Sequence, residues 1–69
     1  MIKIGGIYKH FKGMMVRVLA IVKDCDNLRD MVVYIELSDG GMWVRPADQW
    51  FDQIVRPGID AARFELISE

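Results

Sequence analysis

Threonine is absent from this chain, serine occurs only at Ser38 and Ser68, and cysteine and histidine occur once each, at Cys25 and His10. These gaps close most routes to nucleophilic catalysis. Ser68 falls in the C-terminal tail, and Ser38 precedes Asp39-Gly40-Gly41, where serine is ordinary turn punctuation. No spacing brings Cys25 to His10, so a loop cysteine is a simpler reading than a thiol–imidazole pair. One histidine and one cysteine cannot build a structural zinc site within a single chain. Asp24-x-Asp26 opens like a calcium loop, but Leu28, Arg29 and Ile35 stand where a ligand, a glycine and a glutamate are required. The acidic stretch is read as a solvated loop, and no catalytic set, metal or cofactor is expected.

A lone thiol also excludes an internal disulfide and suits a reducing compartment, so a cytoplasmic protein is expected. No apolar run is long enough for a membrane span or a signal-peptide core. The 69 residues are read as one domain, 1–69, and a domain this small buries only a modest part of its surface. With 52% hydrophobic residues and no cross-link, a homodimer with Trp43 or Met42 near its contact is expected. The net charge of −1 supplies no general attraction to nucleic acid, although Lys3, Lys9, His10, Lys12 and Arg17 cluster in the first quarter.

What the chain has is short runs of Val, Ile, Met and aromatics between Gly/Pro breaks. Strands are predicted over residues 7–11, 14–23, 31–37, 42–45 and 63–67, with one helical turn within 46–53 that presses Trp50 and Phe51 inwards. The run 14–23 is apolar on both sides apart from Arg17, which predicts a strand buried on both faces. Five short strands and a helical turn describe an all-β, SH3-like small barrel, with a mixed α+β meander as the alternative.

The two hairpins can be registered from their turns. Asp39-Gly40, or Gly40-Gly41, divides the central hairpin into two faces. One collects Val33, Ile35, Leu37, Met42 and Val44; the other Val32, Tyr34, Glu36, Trp43 and Arg45. The first is read as core, giving a predicted core of Val16, Val18, Val33, Ile35, Leu37, Val44 and Phe51. The second is read as a surface patch with Arg45 opposite Tyr34. A turn at Lys12-Gly13 would place Tyr8 and His10 on one face with Met15 and Arg17.

The strings Gly6-x-Tyr8-x-His10-Phe11-Lys12-Gly13, Val32-Val33-Tyr34 and Trp43-Val44-Arg45-Pro46, then Trp50-Phe51 and Arg63-Phe64, run through almost the whole chain. Together they resemble a family of short bacterial proteins described only as a domain of unknown function. The resemblance implies a compact β-rich domain and no particular activity. The chain departs from that family in carrying Trp50-Phe51 where Met-Phe is usual.

Function therefore rests on side chains. Tyr8, His10, Tyr34, Trp43 and Arg45 are the candidate ligand-binding residues, as a stacking and cationic platform for a proline, a carboxylate or a planar group. The bland alternatives are specific too. Trp43 could cap the barrel, with Arg45 paired to Glu36 or Asp48, and His10 could lie over Met15 or Trp50 and bond a backbone carbonyl. A non-enzymatic binding or adaptor module for a protein or peptide is expected. A single-stranded nucleic-acid binder comes second and a small enzyme or enzyme subunit third.

Overall fold

The computed structural model describes every residue, Met1–Glu69. Its elements are β1 (Ile7–His10), β2 (Met15–Lys23), β3 (Asp30–Glu36), β4 (Met42–Pro46), a single 3₁₀ turn (Ala47–Gln49), β5 (Gln53–Arg56), β6 (Ile59–Ala62) and β7 (Phe64–Ser68). The all-β expectation holds, and three residues of 3₁₀ helix leave no place for an α+β meander. No helix is long and apolar enough to cross a membrane.

Five strands form one antiparallel sheet in the order β4-β3-β2-β1-β7, and β5 and β6 form a separate hairpin. Consecutive strands pair from β1 to β4. The chain then passes through the 3₁₀ turn and the small hairpin before β7 returns to β1. The hairpin β5–β6 went unrecognised as strands, although Pro57-Gly58 marks its turn and Gly58 adopts φ +80°.

The first turn is one residue longer than Lys12-Gly13. His10 N–H donates to the Met14 carbonyl at 2.8 Å, so Phe11, Lys12 and Gly13 all lie in the loop, with Gly13 at φ +104°. One extra residue reverses parity. Tyr8 therefore faces Val16, while Met15 and Arg17 pair with Lys9 and Ile7 on the opposite face. The expected grouping of Tyr8 and His10 with Met15 and Arg17 is thus wrong by one residue.

In the central hairpin the two groups of residues survive, but the group read as surface supplies the core contact, through Val32 and Tyr34, while Trp43 stays exposed as expected. Tyr34 pairs with Trp43, Val33 with Val44 and Ile35 with Met42; Arg45 lies opposite Val32, not Tyr34. Val32 is fully buried and Tyr34 packs on the core, whereas Leu37, Met42 and Val44 are exposed and Val33 and Ile35 are half-buried. The reason is the size of what the inner face meets. Tyr8, Trp50 and Phe64 pack there with Val16, Val18 and Val32, and each aromatic ring buries about 150–250 Å². No comparable mass is available to the Val33/Ile35/Val44 face.

The centre of this core is a parallel stack of Trp50 on Phe64, with ring centroids 3.9 Å apart and planes 9° from parallel. Tyr8 and Tyr34 meet Trp50 edge-on at 5.4 and 5.2 Å. Trp50 is thus pressed inwards as expected. Its neighbour Phe51 is 46% exposed and belongs to no core, because one step along the chain after the 3₁₀ turn points it outwards. Of the predicted core, Val16 and Val18 are buried.

The strand β2 is not buried on both faces. A bulge between Val18 and Ala20 shifts its register against β3, and beyond it Ile21 and Val22 are exposed.

Candidate functional site

The aromatic core does not fill the whole inner face of the sheet. Where β1 and β2 turn over and β3 and β4 approach their own turn, a cavity of about 360 Å³ opens beside Phe64. That volume lies at the lower end for small-ligand and peptide side-chain pockets. The register explains who lines it: His10 opposes Phe64, Val16 opposes Glu36 and Tyr34 opposes Trp43, so these side chains share one face. Lys12 and Met14 come from the first turn, and Arg45 from the end of β4.

Four of the five candidate binding residues meet here: His10, Tyr34, Trp43 and Arg45. Tyr8 does not. It is completely buried, its ring lies against Trp50, and its hydroxyl accepts the Lys3 backbone N–H at 3.0 Å. It is scaffold. Lys12, Met14, Glu36 and Phe64 belong to the lining without having been chosen from the sequence. Glu36 was already on the Trp43/Arg45 face by alternation, and Lys12 lies inside the first motif. Phe64 carried no sign beyond its place in the terminal motif.

His10 is only 8% exposed. Its Nδ1 accepts the Lys12 backbone N–H at 3.1 Å, so the proton of the neutral ring is assigned to Nε2. The ring lies against Phe11 at 4.5 Å and edge-on to Phe64 at 5.0 Å. It neither covers Met15 or Trp50 nor donates to a carbonyl through Nδ1. Burial lowers its pKa from the ordinary 6.5, and the positive charges of Arg45, Arg63 and Lys12 lower it further. The imidazole is a neutral group in a locally positive corner.

Arg45 is held more loosely than a structural strut would be. Its Nη1 makes one long contact, 3.5 Å, to Gln49 Oε1, and its Nε is buried without a partner. Neither expected carboxylate pairs with it. Arg29 Nη2 occupies both oxygens of Asp48 at 2.9 and 3.0 Å, and Glu36 forms no ion pair. Glu36 is instead held above its usual pKa by desolvation and by the adjacent Asp39. Trp43, 58% exposed, forms the open rim. Its indole nitrogen leans over the turn, 3.3 Å from where a Cβ on Gly41 would stand.

The result is a small pocket with aromatic walls, an unsatisfied guanidinium, an ammonium, a neutral imidazole and one carboxyl, Glu36, whose pKa is raised. No serine or cysteine lines it. Such a set can stack a flat group and hold a negative one.

A small all-β domain with an aromatic–cationic pocket on its inner face is the class that fold and cavity define. Residues 6–66 match the family described as "Protein of unknown function (DUF1653)", and the chain belongs to that family. It is similar to the crystal structure of a member of the same family from Bordetella bronchiseptica, at 22% identity and a TM-score of 0.82. The match covers 93% of this chain and 86% of that one, and it supports the fold alone. No curated protein matches.

Proposed function

We propose that this protein is a non-enzymatic binding module whose inner-face cavity takes an acidic, proline- or ring-bearing segment of a partner protein. The observation that carries this reading is Arg45, whose buried Nε lacks a hydrogen-bond partner beside the half-exposed Trp43. A buried donor without a partner is costly, and a carboxylate accepting from a guanidinium is the strongest remedy. Lys12 reinforces the preference for an anion, and Trp43 offers its face to a proline or ring. The single exposed Cys25 suits work in a reducing compartment such as the cytoplasm.

Single-stranded nucleic acid is the second reading, favoured by an exposed tryptophan between two cations. The net charge of −1 weighs against it. Titration with an acetylated Pro-Glu-containing hexapeptide and with oligothymidylate, followed by amide and indole NMR shifts, separates the two. The peptide should move Lys12, Tyr34, Trp43 and Arg45 and lose most of its affinity in Arg45→Ala. Preference for the oligonucleotide, with affinity falling steeply as salt rises, would replace the peptide reading by the nucleic-acid one.

A further inference from the structure

The edge of the sheet at β4 is open and apolar, and its backbone polarity can be derived. Glu36 N–H donates to the Gly41 carbonyl at 2.8 Å, which fixes the phase of the ladder between β3 and β4. Antiparallel pairs alternate between hydrogen-bonded and non-bonded. With Tyr34 opposite Trp43 and Val32 opposite Arg45, those two positions of β4 turn their N–H and C=O towards β3. Met42 and Val44 turn theirs outwards. Pro46, lacking an N–H, ends the row of outward donors.

Only the far end of this edge is blunted, by Arg45 and Pro46; Met42–Val44 is left open. β4 pairs only with β3 and stands last in the sheet. Met42, Trp43 and Val44 are 63%, 58% and 57% exposed, and none carries a charge. Natural sheets usually protect such a strand with a lysine, a bulge or a covering loop. The other edge, β7, is equally short and carries Glu65 as its second residue, where β4 has its charge, Arg45, only near its end.

We propose that β4 pairs with β4 of a second copy, antiparallel about a two-fold axis at Trp43, joining two five-stranded sheets into one of ten strands. In that register Met42 stands opposite Val44 of the second copy, and the reverse. Every outward N–H and C=O of these two residues is then satisfied, making four hydrogen bonds in all. Trp43 meets its own counterpart as a non-bonded pair, the closer kind, with Cα atoms about 4.5 Å apart. Both indoles lie on the inner face, so the two cavities become neighbours in one groove with a tryptophan pair between them.

Charge favours a second copy over an unrelated strand. Arg45 falls opposite Gly41 of the second copy, at the turn that carries Asp39 and follows Glu36. Within one copy no lysine or arginine pairs with either acid, and Arg45 has no carboxylate. The two-fold places each unpaired cation at the other copy's unpaired acids, twice. The inference does not depend on what fills the cavity.

Sedimentation of the full chain from micromolar to millimolar concentration tests it. The mass should rise from 8.0 kDa towards twice that value. Val44→Lys, which puts a charge at the seam without touching the β3 ladder, should weaken association about tenfold or more. Val55→Lys, at a still more exposed apolar position on β5, should associate as wild type does. For the register, Trp43→Cys and Val44→Cys are compared in a Cys25→Ser background under oxidised glutathione. The Trp43→Cys chain should form the inter-copy disulfide faster, because only that position faces itself across a non-bonded pair.

A wild-type chain that stays at 8.0 kDa throughout overturns the proposal, as does equal loss in both lysine variants. Faster cross-linking at position 44 overturns the Trp43-centred register. A monomer whose Met42 and Val44 amides shift on adding an extended peptide assigns the edge to a different strand and overturns the second copy.

Discussion

The two faces of the β3–β4 hairpin differ little in apolar content and greatly in fate. One presents Val33, Ile35, Met42 and Val44; the other presents Val32, Tyr34, Trp43 and Arg45. By hydropathy the first is the better core. The structure turns the second inwards, burying Val32 and packing Tyr34 on the core with Trp50, Phe64 and Tyr8, while Trp43 stays at the rim; no residue of the aliphatic group belongs to that cluster. Alternation tells which residues travel together. Partners elsewhere in the chain decide which group turns inwards.

The largest effect is expected at the stack. Phe64→Ala removes one of two parallel rings at a fully buried position and should cost about 3–5 kcal/mol, enough to unfold a domain of this size. Thermal unfolding followed by circular dichroism reads it, and a melting curve close to wild type would mean that the aromatic face is not the core.

A smaller effect separates the faces directly. Ile35→Ala would cost about 2–5 kcal/mol if Ile35 were core. On the half-buried outer face it should cost under about 1 kcal/mol, whereas Val32→Ala on the inner face should cost more than that. Urea midpoints of the two variants compare the faces; a larger loss for Ile35→Ala would reverse the assignment.

The corner at His10 sharpens the picture through pH. Its folded pKa is lowered from 6.5, so the unfolded chain takes up the proton first. The neutral ring's contribution is complete above pH 6.5 and is lost progressively as pH falls below it. Glu36 acts in the opposite sense, since its raised pKa makes the folded chain the better proton acceptor above 4.5. Urea midpoints at pH 7.5 and 5.5 should therefore fall for wild type and fall less for His10→Gln. Identical pH dependence in the two proteins would mean that His10 is not held neutral by its surroundings.

The smallest expected change in stability is at Arg45. Arg45→Ala removes a side chain with one long hydrogen bond and no ion pair, so folding should shift by about 0–1 kcal/mol while peptide binding is lost. A collapse of the melting temperature would make Arg45 part of the scaffold.

Much of this was legible in the chain. The Gly and Pro breaks marked the main strands, and the motifs around Tyr8–Gly13 and Trp43–Pro46 located most of the cavity. Parity kept Tyr34, Trp43 and Arg45 together whichever glycine turn was taken. Tyr8 was misread because a three-residue turn and a two-residue turn look alike in sequence and differ by one step of parity. Phe64 and Lys12 were missed because the wall they complete joins strands far apart in the chain.

Local backbone preference and a period of two were enough to specify an all-β domain, its main turns and the grouping of residues on each strand. Which group faces inwards, the burial of Tyr8 as scaffold and the lack of a carboxylate at Arg45 were set by packing between distant segments. Those outcomes depend on the long-range meeting of β7 with β1 and of Trp50 with Phe64, where the largest buried aromatic area prevails over the tidier aliphatic pattern.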